Sequence, residues 1–148
     1  MLSWGRFWPV FYRLLRFLDP LIRPVWRTFG LGNTVELVVR GRRTGRQRRL
    51  FLGLLRVGDR RYLGHPSRPT GWTRNLEAAD PAEIRFHNGT TWRARAVPLP
   101  NGPERDAVIR ATFRQHPFPG PVLYWLSRAH LRANGTFFRL EPAAAHDA

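Results

Sequence analysis

Residues 82–99 have the sequence AEIRFHNGTTWRARAVPL, and this stretch decides the fold because it encodes two antiparallel strands. The dipeptide Asn88-Gly89 at its centre is a strong hairpin signal, since glycine accepts the positive φ that a tight turn demands. Apolar and arginine side chains alternate over residues 92–96, which is the pattern of a strand with one buried face. We therefore predict a β-hairpin that joins residues 82–87 to residues 90–99.

The segments on either side of this hairpin supply the other strands and the helices. Strands are predicted at residues 34–40, 50–57, 60–64 and 136–140, which are rich in apolar and β-branched residues. Helices are predicted at residues 8–18, 19–30, 72–79, 104–116 and 121–130, the first two from Trp-Pro and Asp-Pro start signals. About six mostly antiparallel strands with helices packed around them indicate an α+β domain built on a barrel or sheet. We expect one domain over residues 1–142, with an amphipathic helical segment at 1–30 and a disordered tail at 143–148.

The composition points to an anionic partner. The 148 residues carry a formal net charge of +15, from 25 basic residues, all of them arginine, and 10 acidic residues. A genome rich in arginine codons explains the missing lysines but not the excess charge, which suits phosphate, nucleic acid or acidic lipid. The absence of cysteine excludes disulfides, thiolate zinc sites and cysteine nucleophiles. The five histidines form no ligand cluster, and we predict no metal site.

Residues 4–18 are a candidate for peripheral contact with a membrane. Placed on a helix, Phe7, Phe11, Leu14, Leu15 and Leu18 lie opposite Arg6, Arg13 and Arg16. Trp4, Trp8 and Tyr12 are residue types that settle at a lipid interface. The favoured alternative is that this apolar face covers an open end of the barrel. Arginines interrupt every long apolar run, so we expect neither a membrane span nor a signal peptide, and a cytoplasmic protein.

The most informative segment for function is GRRTGRQRR at residues 41–49, which we call the basic loop. Its two glycines allow backbone amides to turn toward an anion, Thr44 adds a hydroxyl donor, and guanidinium groups match phosphate geometry. The spacing is neither that of a Walker A loop nor that of a dinucleotide-binding glycine motif. The alternatives are a solvated loop and a nucleic-acid contact, and no recognised nucleic-acid motif supports the second.

Further motifs follow the basic loop in a definite order. An apolar strand comes first, then GDRRYLG at residues 58–64, then GWTRNLEAADPAEIRF at residues 71–86. This order resembles the deazaflavin-dependent nitroreductase family. The matching positions are Gly41, Arg42, Thr44, Gly45 and Arg48, then Gly58, Asp59 and Tyr62, then Trp72, Asn75 and Leu76. The resemblance covers residues 35–99 and rests on the order and spacing together, since no single motif is specific.

The resemblance implies a split β-barrel oxidoreductase that binds coenzyme F-420, a deazaflavin with a phosphate and an oligoglutamate tail, and FMN is the second choice. The reduced cofactor would pass hydride to an electron-poor small molecule: an enone, a quinone or a nitro compound. The residues implied for the anionic tail are Arg42, Arg43, Thr44, Gly45, Arg46, Arg48 and Arg49. Those implied for the ring pocket are Leu52, Gly53, His65, Ser67, Trp72 and Asn75. His65 and Tyr124 are the catalytic candidates, although a packing role is the commoner one for either.

Two departures from the family pattern fall at the expected ring pocket. Phe51 stands where the family usually has proline, and the loop at residues 65–71 is short. These departures leave open a paralogue that has lost activity. The alternative function is a non-catalytic module that binds an anionic cofactor, nucleic acid or an anionic lipid surface.

Overall fold

The secondary structure is given by a computed structural model that describes residues 3–79 and 81–143. Within these residues the helices are α1 (Trp4–Phe17), α2 (Asp19–Phe29), α3 (Gly71–Ala78), α4 (Pro103–Gln115), α5 (Gly120–Leu126) and α6 (Arg128–Asn134). The strands are β1 (Thr34–Arg40), β2 (Gln47–Gly53), β3 (Leu55–Val57), β4 (Arg60–His65), β5 (Ala82–Arg85), β6 (Thr91–Pro98) and β7 (Thr136–Pro142). The predicted tail, apart from Ala143, lies outside the described residues.

The seven strands form one antiparallel sheet in the order β2-β1-β5-β6-β7-β4-β3. Its two edge strands, β2 and β3, are separated in sequence by Leu54 alone, so the sheet has to curl back on itself. The curled half-barrel with six helices confirms the predicted α+β class. The predicted hairpin is the β5–β6 pair, in whose turn Asn88 Oδ1 accepts a hydrogen bond from the Thr90 amide at 3.0 Å.

The strand predicted at residues 50–57 is in fact two strands. β2 begins earlier than predicted, so Arg48 and Arg49 belong to a strand although the sequence suggests a loop. The break falls at Leu54, whose amide makes the last bond of the β1–β2 pairing, to the Asn33 carbonyl oxygen at 2.8 Å, while its carbonyl oxygen accepts from the Asn33 side chain at 3.1 Å. The chain then enters β3 on the opposite edge of the sheet.

Two helices also differ from their predicted extent. The helix predicted at residues 121–130 is interrupted at Ser127, whose hydroxyl donates back to the Leu123 carbonyl oxygen at 2.8 Å and competes with the helical backbone. α1 begins at Trp4, so Pro9 lies inside the helix and not at its first position. The additional turn is held by Phe7, whose ring lies 5.2 Å from that of Trp4.

Apolar side chains cover both faces of the sheet. One cluster includes Leu37, Leu63, Ile84 and Phe138. The other lies against α4 and α6 and includes Phe137. The neighbours Phe137 and Phe138 enter different clusters because successive side chains of a strand point to opposite faces.

The N-terminal helices are fastened to the barrel by aromatic packing and by one buried carboxylate. Trp8 and Trp26 are 1% and 3% exposed, and Trp26 Nε1 donates to the Thr34 carbonyl oxygen at 2.9 Å. Arg23 of α2 pairs with Glu36 of β1, which is buried. Within the described part of the chain, no helix has the length and hydropathy needed to cross a membrane.

Candidate functional site

A cleft of about 1210 Å³ lies where the N-terminal helices meet the basic loop. Its lining comes from α1 and α2, from the basic loop and β2, and from α3 with the end of β4. Residues 116–119, between α4 and α5, and Gly120 and Tyr124 of α5 also line it. Small-molecule and cofactor pockets are typically about 300–1,000 Å³, so this cleft is large enough for a cofactor together with a small substrate.

Most of the residues predicted for the site line this cleft. They are Arg42, Arg43, Thr44, Arg48, Arg49, Leu52, Gly53, His65, Ser67, Trp72 and Asn75, together with the catalytic candidate Tyr124. Gly45 and Arg46 do not line it. Gly45 makes the turn of the loop, with a φ of 69° and its amide donating to the Gly41 carbonyl oxygen at 2.9 Å. The binding and catalytic roles of all these residues remain predictions.

The base of the basic loop has the chemistry of an anion cradle. A Cβ atom built on Gly41 would lie 3.1 Å from Thr44 Oγ1, 3.5 Å from the Arg46 carbonyl oxygen and 3.6 Å from Arg48 Nε, so the hydroxyl and the guanidinium group lie on the same side of the glycine. Thr44 Oγ1 accepts a hydrogen bond from the Arg46 amide at 3.2 Å, which leaves the hydroxyl proton for another acceptor. A hydroxyl donor beside a guanidinium group is suited to a phosphate or carboxylate oxygen.

Arg42 and Asn75 fix the position of the basic loop. The Arg42 amide donates to Asn75 Oδ1 at 3.1 Å, and Arg42 Nη1 donates to the same oxygen at 2.9 Å. Nη1 also donates to the Gly71 carbonyl oxygen at 3.4 Å. The two residues therefore bind each other across the cleft edge and tie the loop to α3, even though the sequence suggests direct contact with a ligand.

His65 lies at the end of β4 in the wall of the cleft. It is 6% exposed, and neither Nδ1 nor Nε2 has a hydrogen-bond partner in the described structure. Its ring lies 5.6 Å from the ring of Tyr12 and 5.5 Å from that of Trp72. Burial lowers the pKa of His65 from 6.5 to about 4. The imidazole is therefore neutral near pH 7 and offers one donor and one acceptor nitrogen.

Unpartnered polar atoms are concentrated around this cleft. Among the described residues, four side chains hold buried polar atoms without a hydrogen-bond partner, and three of them, Trp8, His65 and Trp72, line the cleft. Each buried polar atom left unpaired costs roughly 1–3 kcal/mol. A ligand whose ring atoms both donate and accept hydrogen bonds would supply the missing partners.

Several residues of the cleft were not anticipated from the sequence. The Tyr124 ring stacks on the Trp8 ring at 4.8 Å, and the His116 ring lies 4.9 Å from the same Tyr124 ring. His116 approaches the sheet at Gly53, where a Cβ atom would lie 2.2 Å from His116 Nδ1. Gly53 is therefore required by this close approach. Burial lowers the pKa of His116 to about 4, so this second imidazole is also neutral.

Two phenols face each other in the same wall. Burial raises the pKa of Tyr12 well above its ordinary value, and the neighbouring Tyr124 raises it further through its charge and a hydrogen bond. Burial also raises the pKa of Tyr124, against the effect of the hydrogen bond from Tyr12. Both hydroxyls therefore keep their protons at neutral pH.

Ser67 belongs to a hydrogen-bonded set that resembles a hydrolase triad but has the opposite polarity. Ser67 Oγ lies 3.0 Å from His130 Nε2, and His130 Nδ1 lies 3.3 Å from the Asn134 amide nitrogen. Arg68 donates to Asn134 Oδ1 at 3.2 Å, which turns the amide nitrogen toward the ring. His130 Nδ1 is therefore the acceptor, and Nε2 carries the proton and donates to Ser67. Ser67 is not activated as a nucleophile, and its own proton is available to a ligand in the cleft.

The comparisons with known proteins identify the fold. No family model and no curated protein matches the sequence. The geometry also offers no metal site, because among the described residues no three histidine, aspartate or glutamate side chains form a group that could hold a metal ion.

Solved structures do match. HutZ, a heme storage protein from Vibrio cholerae, has 17% identity and a TM-score of 0.54 over 86% of this chain and 92% of that one. An F-420-H2 dependent reductase, FDR-A, has 16% identity and a TM-score of 0.51 over 74% of this chain and 94% of that one. Atu2129 from Agrobacterium tumefaciens, of unknown function, has 15% identity and a TM-score of 0.56 over 84% of this chain, which spans only 55% of Atu2129. At these identities the likeness shows the fold alone: the chain has the split-barrel fold found in both a heme storage protein and an F-420-H2 dependent reductase.

Proposed function

We propose that this chain is an oxidoreductase that binds reduced coenzyme F-420 in the cleft and reduces an electron-poor small molecule: an enone, a quinone or a nitro compound. The observation that carries the proposal is one cleft that joins an arginine-rich loop to aromatic side chains with unpartnered nitrogen atoms. The loop suits the phosphate and oligoglutamate tail of the cofactor, and the aromatic part suits its hydrogen-bonding ring system. The fold shared with FDR-A supports the proposal.

The chain offers residues for both parts of such a cofactor. Thr44 and Arg48, which lie on the same side of Gly41, would hold the phosphate. Trp72 and His65 would contact the ring system and provide the hydrogen bonds that their unpartnered nitrogens can form. Because the arginines are exposed whereas His65 is buried and Trp72 is half-buried, an anionic tail would remain hydrated while the ring system is largely shielded from water.

The chemistry of the reaction belongs largely to the cofactor, since bound reduced F-420 supplies the hydride. The protein orients the reactants and stabilises charge as it develops. The phenols of Tyr12 and Tyr124 retain their protons, and Tyr12 donates its proton to Tyr124 in a hydrogen bond. The Tyr124 hydroxyl can therefore donate a hydrogen bond to an acceptor oxygen that gains negative charge. Neutral His65 can donate or accept a hydrogen bond without placing a fixed charge beside the ring system.

The test is an equilibrium titration of F-420 with the full-length protein, followed by the intrinsic fluorescence of the cofactor. We expect saturable binding at micromolar protein, with weaker binding of FMN in a parallel titration. Reduced F-420 mixed with the protein and a model quinone or nitro compound should then be oxidised faster than without protein. The absence of saturable F-420 binding would contradict the proposal whatever the acceptor.

Heme is the second candidate ligand, and His65 is the observation that favours it. A neutral imidazole with a nitrogen free of hydrogen bonds can ligate heme iron, and arginines suit the heme propionates. The fold is also that of the heme storage protein HutZ. Under this alternative the protein would bind or carry heme and would need no hydride acceptor.

One substitution separates the two candidates. If heme is the ligand, His65→Ala should abolish the change in the heme absorption spectrum that wild-type protein produces. If F-420 is the ligand, the same substitution should weaken its binding by only about three- to tenfold, since it removes one hydrogen bond and one ring contact of several. Phe29→Ala, at an exposed side chain that does not line the cleft, is the control and should change neither titration.

A further inference from the structure

The exposed apolar surface of the protein is concentrated in two segments. All ten large apolar side chains that are exposed in the described structure fall in α1, in α2 or in residues 118–126. Six belong to the helices and form what we call the apolar strip: Val10, Leu14, Phe17, Leu21, Val25 and Phe29. The other four are Phe118, Val122, Trp125 and Leu126. Isolated exposed side chains of this type are ordinary, but a concentration of them marks an interaction surface.

The apolar strip follows one face of the N-terminal helices. Its members are three or four residues apart, which is the spacing of one helix face. Leu18, between the helices, keeps a right-handed helical backbone with φ −85° and ψ −3°, so the strip continues from α1 into α2. Trp8 and Trp26 are buried, whereas Phe17 is 81% and Leu21 72% exposed. The helices therefore use one part of their apolar surface to pack on the barrel and leave another part uncovered.

Arginines without ion-pair partners accompany the apolar strip. Arg6, Arg13, Arg16 and Arg27 are exposed on the same two helices, and none forms a salt bridge within the described structure. Arg13 and Arg16 also line the cleft, and burial raises the pKa of Asp19 against the opposing charge of Arg16, so Arg6 and Arg27 are the arginines that belong to the outer face alone. Asp19 is the sole acidic residue of the two helices. The exposed face thus combines apolar side chains with a net excess of positive charge.

We propose that this face docks on the surface of an anionic lipid bilayer. The apolar strip would lie at the boundary between headgroups and acyl chains, and the arginines would contact lipid phosphates, as in interfacial amphipathic helices. A second copy of the chain is a poorer partner. A two-fold interface through this face would bring the unpaired arginines of two chains together, each chain carrying a net charge of +15.

Docking in this way would bring the cleft to the bilayer. Trp8, Phe11 and Tyr12 of α1 line the cleft from the helix that carries the apolar strip, and exposed Phe118 lines it from the opposite segment. Apolar molecules dissolved in the lipid would then reach the cleft without crossing bulk water. The proposal does not depend on which cofactor the cleft binds.

The experiment is flotation of the full-length protein with vesicles of phosphatidylcholine alone and of phosphatidylcholine mixed with an equal part of phosphatidylglycerol. We expect binding to the mixed vesicles only, weakening as salt is raised. The double change Phe17→Ser and Leu21→Ser should weaken binding by about tenfold or more, since both side chains lose their burial in lipid. Deleting α1 would be a worse test, because Trp8 is part of the core.

A second pair of changes tests the charge. Arg6→Gln with Arg27→Gln should weaken binding by roughly tenfold or more. The matched control, Arg110→Gln with Arg114→Gln on α4, makes the same charge change on another helix and should have a smaller effect. Both altered side chains of each pair are exposed, and unchanged thermal unfolding would confirm that the fold is intact.

Two outcomes would overturn the proposal. One is the absence of flotation with mixed vesicles. If the wild-type protein then forms a stable dimer and the Phe17→Ser, Leu21→Ser protein does not, the apolar strip binds a second copy of the chain. The other is equal weakening by the α4 control, which would show attraction through net charge alone. Because neither measurement uses F-420 or heme, failure here leaves the proposed function untouched, and the converse also holds.

Discussion

Arg48→Ala and Arg46→Ala are the most informative pair of changes in the basic loop. Both remove one exposed arginine, and the positions are two residues apart, so any effect of net charge is closely matched. Arg48 lines the cleft, with its Nε beside Gly41 on the same side as Thr44 Oγ1, whereas Arg46 does not line it. We expect Arg48→Ala to weaken cofactor binding strongly and Arg46→Ala to weaken it little.

The magnitude follows from the kind of contact. A hydrogen bond to a charged group contributes about 1.5–3 kcal/mol, and each 1.4 kcal/mol is a factor of ten in Kd. Because Arg48 is exposed and partly screened by salt, the lower end applies, and Arg48→Ala should raise Kd by about tenfold. Arg46→Ala loses only screened, longer-range attraction, which is worth less than about threefold.

The assay is the F-420 fluorescence titration at two salt concentrations, with thermal unfolding of each variant measured alongside. Arg42→Ala belongs in the same series because Arg42 is hydrogen-bonded to Asn75. This variant should bind the cofactor more weakly, and its free energy of unfolding should also fall, by about 1 kcal/mol for the exposed contacts that are lost. If Arg46→Ala and Arg48→Ala weaken binding equally, the cradle argument is wrong and the loop attracts anions only through its total charge.

Three further predictions concern stability and the cleft. Arg23→Ala removes the nearer partner of buried Glu36 and leaves only Arg85, at 3.8 Å. The free energy of unfolding in urea should therefore fall by about 1.5–3 kcal/mol. An equal loss in Arg27→Ala, the exposed control, would refute this. The unfolded chain protonates a histidine near pH 6.5, whereas folded His65 resists protonation down to about pH 4. Stability should therefore be full above pH 6.5 and fall as the pH drops toward 4, with about 2 kcal/mol lost between pH 7 and 5 through this residue. When the free energy of unfolding in urea is measured at these two pH values, His65→Phe should lose less stability than the wild-type protein, by that amount. A loss equal to that of the wild-type protein would contradict the burial of His65. Ser67→Ala should weaken cofactor binding about fivefold, because a hydroxyl donor is lost. At saturating cofactor the rate of turnover should be unchanged, because Ser67 does not act as a nucleophile.

The basic loop and the hairpin were predictable because their signals are local. Asn88-Gly89 specifies a turn through the backbone freedom of one glycine, and its hairpin is present. The position of the basic loop was predictable from its two glycines and from the apolar and β-branched composition of the strands on either side. What the sequence did not reveal is that β2 begins inside the loop, since the pairing of Arg48 with Val39 depends on the β1–β2 register and not on strand propensity.

The cleft itself was predicted less completely because it is made of long-range contacts. His116 reaches Gly53 across 63 residues of sequence, and no periodicity or motif announces the contact. The part that α1 plays in the cleft depends on how Trp8 stacks on Tyr124, which again joins distant segments. A glycine inside an apolar strand, such as Gly53, was the one available hint, because such glycines often mark a close approach.

Glu36 explains how one pair of helices can form a wall of the cleft and still expose apolar side chains. This carboxylate is 2% exposed, pairs with Arg23 of α2 and lies 3.8 Å from Arg85 of β5. Loss of Arg23 from this pair should cost about 1.5–3 kcal/mol, so the pair gives α2 a directional attachment beyond the packing of Trp8 and Trp26. The outer side chains of the helices are therefore not needed for attachment and stay available to a partner. A ligand in the cleft would contact one side of α1 and a bilayer outside would contact another, so the same helix can serve both at once.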